Sequence, residues 1–153
     1  MGQALRDRIK QDSFSSHSQE ALLNIVVVSD YLRQKFEEIC HDNDMTPAQY
    51  NVLRILKGIY PNGHARCDIS KRMLDRSPDV TRLVDNLVKK GLAQRLPSDT
   101  DARLSIARIT KKGLKALDEL WPVIEAFDRH LEQRLSPEEI LNLSELCEKI
   151  YSE

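Results

Sequence analysis

The chain has 153 residues, 31% of them charged and 41% hydrophobic, with aromatics at 5%, 5 glycines and 6 prolines; the length suits one domain, and the composition excludes collagen-like, mucin-like and disordered classes in favour of a mainly α fold. The longest unbroken aliphatic run, Ile25 to Val28, falls far short of the roughly 20 apolar residues of a membrane span, so no membrane partner is expected. Net charge is only -1, but Arg66 to Lys112 holds 12 Lys/Arg against 6 Asp/Glu, a local +6, and leaves 11 basic and 18 acidic residues elsewhere, or -7; such a block is either a solvated surface or the footprint that meets phosphate charge.

Residues 1–16 are polar and read as a loose arm with room for one short helical turn. From His17 to His41, Leu22, Ile25, Val26, Ser29, Leu32, Phe36 and Ile39 approximate one face of a long amphipathic helix. Thr46, Pro47 and Gln49 form a capping box ahead of Val52, Leu53 and Leu56, which predicts a second helix to about Lys57. After the turn Pro61-Asn62-Gly63, a short helix begins at Cys67 or Asp68, with Ile69 and either Met73 or Leu74 facing inward. The next helix is the clearest: Ser77 as cap, Pro78 at its first position, Asp79 in its first turn, Val80, Leu83, Val84, Leu87 and Val88 on one face, and Gly91 closing its end. Its opposite face shows Thr81, Arg82, Asp85, Asn86 and Lys89. Segments 92–96 and 104–110, separated by turn-rich residues, read as one β-hairpin. Thr110 caps a long helix carrying Leu117, Leu120, Trp121, Ile124 and Phe127, with a kink expected at Pro122, and Ser136-Pro137-Glu138-Glu139 opens a last helix through Leu143, Leu146 and Ile150.

A tight helix pair, the second with a polar outer face, followed at once by a hairpin with a charged tip, is a winged helix-turn-helix. The dimensions suit DNA: a helix fits the major groove, and a hairpin tip bearing an arginine reaches the adjacent minor groove. On Val80-Thr81-Arg82-Leu83-Val84-Asp85-Asn86-Leu87, Lys90-Gly91-Leu92, and Asp101-Ala102-Arg103 followed by Thr110 and Gly113, the sequence resembles the MarR family of bacterial transcriptional regulators from about residue 18 onward. The resemblance implies a mainly α fold with one small β-hairpin, residues 17–153 forming one unit: a winged-helix lobe at about 46–110 and N- and C-terminal dimerisation helices at about 17–41 and 111–153. It implies a homodimer on double-stranded DNA at a pseudopalindromic operator, read as a repressor, with a small-molecule effector as a further partner; the first ten residues, which alternate charged with apolar residues and hold no signal-type apolar run, place the expectation in the cytoplasm. Ser77, Asp79, Thr81, Arg82, Asp85, Asn86 and Lys89 are then the recognition-helix candidates, and Asp101 and Arg103 the wing candidates. Ala102 departs from the family pattern, where a second basic residue is common, and Asp79 departs by bringing an acid towards phosphates.

Tyr31, Tyr50 and Trp121 are candidates to line the effector crevice that the resemblance places between the dimer helices and the lobe, against core packing as the equal alternative. His41, Asp42 and Asp44 lack a second cluster at ligand spacing, so no metal and no cofactor are expected. Cys40, Cys67 and Cys147 fit neither a disulfide framework nor a zinc knuckle and read as reduced, mostly buried thiols. No nucleophile, base and orienting group share a pattern, which argues against an enzyme. The competing reading is a winged-helix protein-interaction module without DNA binding, which a neutral or acidic outer face on the helix after Ser77 would favour.

Overall fold

The structure, a computed structural model, describes residues 2–75, 79–97 and 105–152. They divide into two compact units, Met1–Pro47 and Ala48–Glu153.

In the first unit the segment expected as a loose arm holds a helix, α1 (Gln3–Ile9), closed by Lys10 in the left-handed region at φ 56°. It burying Leu5 and placing the Arg6 guanidinium 5.8 Å from the centroid of the Phe14 ring gives a polar segment a small apolar anchor that periodicity alone does not signal. Helix α2 (His17–His41) has the expected bounds, and Ser16 Oγ caps its start by accepting from the Gln19 amide at 3.1 Å, which satisfies one of the orphan donors of the first turn. Along it, Arg33 bridges Asp30 at 2.7 Å and Glu37 at 2.9 Å on the solvent side, while Leu22, Ile25, Val26 and Val28 are also exposed. The chain leaves α2 through Asp44 at φ 55°, a conformation an aspartate tolerates, and the Met45 amide returns to the Cys40 carbonyl at 2.9 Å.

In the second unit, α3 (Pro47–Lys57) buries Gln49, Val52, Leu53 and Leu56, one stripe at helical spacing. A two-residue strand absent from the sequence reading follows: β1 (His64–Ala65) pairs antiparallel with β3 (Ser105–Ile109), and β3 pairs with β2 (Ala93–Pro97), giving the order β1-β3-β2. Gly63 permits that third strand, since a Cβ there would collide with the Ala107 carbonyl oxygen. Helix α4 (Arg66–Arg72) begins a residue before expectation and resolves the alternative after it: Met73 is buried, whereas Leu74 is 91% exposed, its amide held by Asn51 Oδ1 at 3.0 Å. Helix α5 (Val80–Lys89) buries Val80, Val84 and Leu87. Helices α6 (Lys111–Glu132), which contains Pro122, and α7 (Pro137–Tyr151) complete the unit, the latter opened by the expected Ser136/Glu139 capping box. Leu53, Leu56, Ile69, Leu87, Ile109 and Leu120 are fully buried, so α3, α4, α5, β3 and α6 each contribute to the interior.

The expectation of mostly buried thiols holds for Cys40 alone; Cys67, in the first turn of α4, and Cys147, on α7, are exposed. Burial pushes the Cys40 thiol up to about 11. Among the described residues, no helix is long and apolar enough to cross a membrane, and no group of three His, Cys, Asp or Glu is placed to hold a metal ion.

Candidate nucleic-acid interface

The site is built on α5, whose residues split by helical period into an inner and an outer face. Val80, Val84 and Leu87 face inward at 5%, 2% and 0% exposure, so the helix cannot roll without breaking its contact with the core. Thr81, Arg82 and Lys89 are exposed, and Asp85 and Asn86 half-buried, which places all five polar candidates of the outer face together on one helix.

The helix begins two residues later than a Ser77 cap would have it, and this corrects the reading of Ser77 and Asp79. Asp79 is the N-cap: its Oδ1 accepts from the Thr81 amide at 3.0 Å and the Arg82 amide at 3.3 Å. Serine and aspartate cap about equally well, so two caps two residues apart compete, and the carboxylate also gains from the positive end of the helix dipole. The acid that departs from the family pattern is thereby engaged by backbone donors of its own helix. Ser77 itself lies outside the described residues, as do the wing candidates Asp101 and Arg103.

At the other end, Gly91 sits at φ 73°, the left-handed C′ conformation expected of it, and the Leu92 amide closes back on the Leu87 carbonyl at 2.9 Å. The two carbonyls just past the end of α5 are then taken by the start of α6. Lys112 Nζ donates to the Lys90 carbonyl at 2.8 Å, and Thr110 Oγ1 donates to the Gly91 carbonyl at 2.7 Å. The same Thr110 hydroxyl accepts from the Gly113 amide at 3.1 Å as cap of α6, so one side chain ends one helix and begins another.

From Gly91 the chain runs directly into the wing. Strands β2 and β3 keep a regular antiparallel register, Arg95 opposite Ala107 and Pro97 opposite Ser105. Arg95 reaches back to α5, its Nε and Nη2 both donating to Asp85 Oδ1, at 3.1 and 2.8 Å. Sequence reasoning missed Arg95, because it saw only a strand residue inside the basic block. It also missed Arg66 and Lys71, which with Asp79 border an open cleft between α4 and the start of α5; their signal was the local charge excess. At the base of the sheet His64 is held below its ordinary value, first by burial and then by the Arg72 guanidinium, which favours the neutral imidazole.

The aromatic candidates lie on three different helices. Tyr31 is on α2 in the first unit, 37% exposed, and Tyr50 is half-buried on α3 in the second. Trp121 on α6 is 45% exposed, its ring centroid 5.5 Å from the Arg54 guanidinium carbon, and Lys57 pairs with Asp118 at 2.7 Å beside it. That cation–aromatic contact replaces core packing as the account of Trp121.

A helix-turn-helix of α4 and α5 with a β2–β3 wing defines a class, the winged helix-turn-helix proteins. Residues 45–105 match the MarR family. The HTH-type transcriptional regulator MhqR of Bacillus subtilis (strain 168) is 31% identical over 72% of this chain and 74% of its own length. The crystal structure of a MarR transcription factor from Planctomyces limnophilus superposes with a TM-score of 0.69 at 32% identity, covering 89% of this chain and 98% of that one. The S. aureus MepR–DNA complex superposes with a TM-score of 0.77 at 24% identity, covering 92% and 98%. The chain belongs to the MarR family of DNA-binding transcriptional regulators.

Proposed function

We propose that this chain is a cytoplasmic homodimeric repressor that lays α5 in the major groove of each half of a pseudopalindromic operator, sets the wing against the adjacent minor groove, and is released by a small-molecule effector. The observation that carries the reading is the one-sided burial of α5, with Val84 and Leu87 locked inward while Arg82, Thr81 and Lys89 stand exposed beside a β-hairpin. Thr81, Arg82 and Asn86 are the base-edge candidates and Lys89 a phosphate contact. Asp79 acts from the helix cap, Ser77 is a further recognition-helix candidate, and Asp101 and Arg103 are the wing candidates. The fold is shared with MepR, a protein solved in complex with DNA, which supports DNA as the partner. Repression needs nothing more of the chain than occupancy, since a dimer seated on a promoter excludes polymerase.

Dimerisation is supported by α7, which buries no residue within the chain and exposes Leu143, Leu146 and Ile150. For the effector, Tyr50 and Trp121 are the candidate contacts in the second unit, and Trp121, the chain's one tryptophan, gives the fluorescence signal to follow it.

The test uses a duplex selected by the protein from a randomised pool, with binding followed by anisotropy against salt. If a dimer neutralises about 6 to 10 phosphates, affinity falls roughly 10³- to 10⁵-fold between about 50 and 200 mM salt. Arg82→Ala costs about 1 to 3 kcal/mol and relaxes discrimination at one position per half-site. Arg103→Ala weakens binding most where the flanks are A·T-rich. Salt-independent binding, or no selectable duplex, would turn the conclusion to the protein-interaction module.

A further inference from the structure

Helix α5 and strand β2 meet at Gly91 as the two arms of a V, and Asp85 and Arg95 join the arms. Gly91 is the vertex, in the left-handed conformation. Asp85 lies six residues up the helix from it, about 9 Å along the axis, and Arg95 four residues along the strand, about 13 Å. Across the opening, Arg95 Nε and Nη2 both donate to Asp85 Oδ1, at 3.1 and 2.8 Å. Two donors from one planar guanidinium fix direction as well as distance, which a single lysine contact would not.

We infer that Asp85 and Arg95 are a positioning pair: Asp85 is not a groove contact, and the ion pair sets the angle between the recognition helix and the wing so that both reach their grooves together. This rests on the DNA reading above. The vertex end of the V is already fixed by the Leu92–Leu87 backbone bond and by Thr110 and Lys112 on the carbonyls of Gly91 and Lys90. Nothing in that set controls the strand farther out, where a small change of angle moves the hairpin most, and Arg95 acts there. Its side chain is 34% exposed and that of Asp85 49%, so the pair is too wet to matter greatly for folding, and its value is geometric.

Electrostatics and geometry predict opposite signs, which makes the inference sharp. Asp85→Asn removes a negative charge from the face turned to phosphate. If Asp85 were merely a surface acid, binding would tighten; as half of a strut, its loss weakens binding. Likewise an Arg95 that touched phosphate directly would take about one unit off the salt slope when changed to Gln, whereas a strut leaves the slope unchanged.

The experiment measures Asp85→Asn, Arg95→Gln and the double variant on the selected duplex with A·T-rich and with G·C-rich flanks, at several salt concentrations, with thermal melting as the check on folding. Each single variant is expected to lose affinity by at least about threefold on the A·T-rich flank, to lose flank discrimination, and to keep the wild-type salt slope; the double variant loses no more than either single. Tighter binding by Asp85→Asn, a reduced slope for Arg95→Gln, or losses that multiply in the double variant would overturn the pairing while leaving the DNA reading intact. Wild-type protein that selects no duplex would overturn both.

Discussion

Helices α5 and α7 carry the same kind of sequence pattern, apolar residues at helical spacing behind a good N-cap, and the second unit treats them oppositely. The ten residues of α5 bury Val80, Val84 and Leu87; the fifteen of α7 bury none, and Leu141, Leu143, Leu146, Ile150 and Tyr151 are all exposed. The amphipathic period thus states that a helix has an apolar partner and is silent on whether that partner lies in the same chain. Where the partner is internal, the outer face is free to specialise, as with Thr81 and Arg82. Where it is external, the helix specialises in association.

Matched truncations, one on each helix, break this comparison most directly. Leu87→Ala removes a fully buried side chain and is expected to cost about 2 to 5 kcal/mol of stability whatever the protein concentration. Leu146, 57% exposed within the chain, loses little there when changed to Asp. Its effect is expected in association: the wild type should melt at a concentration-dependent temperature and sediment as a dimer at micromolar concentration, and Leu146→Asp should sediment as a monomer. A Leu146→Asp dimer of unchanged strength would remove α7 as the dimer contact.

A smaller effect sharpens the contrast at the start of α5. With Asp79 Oδ1 accepting from two amides, Asp79→Ala is expected to lower stability by about 1 kcal/mol, and Ser77→Ala to change it by less than about 0.5 kcal/mol. Equal losses in chemical denaturation would assign the cap to both residues.

Legibility follows the range of the interaction. The limits of α2, Gly91 as the end of α5, Thr110 as the cap of α6 and the Ser136/Glu139 box were all readable, because each depends on residues within about one helical turn. Strand β1 was not: two residues show no period, and His64 and Ala65 become a strand only through Ala107 and Ile106, more than forty positions away. Arg95 was unreadable as a partner of Asp85 for the same reason, since the ten-residue separation closes only once Gly91 has turned the chain. The placement of Asp79 failed differently. Both competing signals were local and both were sound, and because serine and aspartate cap about equally well the sequence carries no mark that decides between them.

The smallest expected effect concerns the capping box of α7, the helix with no interior of its own to hold it. The Ser136 amide donates to Glu139 Oε2 at 2.8 Å, and the Glu139 amide donates to Ser136 Oγ at 3.3 Å. The backbone bond from Ser136, then its side-chain bond, hold the Glu139 carboxyl below its ordinary value. A carboxyl depressed in the folded state contributes stability above its unfolded value of about 4.3 and loses that contribution as pH falls through the folded value. Glu139→Gln keeps an acceptor for the Ser136 amide and removes the titration. Denaturation midpoints at neutral pH should therefore favour the wild type slightly, and the difference should close as pH falls below about 4. Salt should narrow it as well, because Glu139 is exposed and its interaction with the start of the helix is screened. A difference between the two proteins that stays constant from neutral to acid pH would mean that the hydrogen bond alone, and not the charge, holds the first turn of α7.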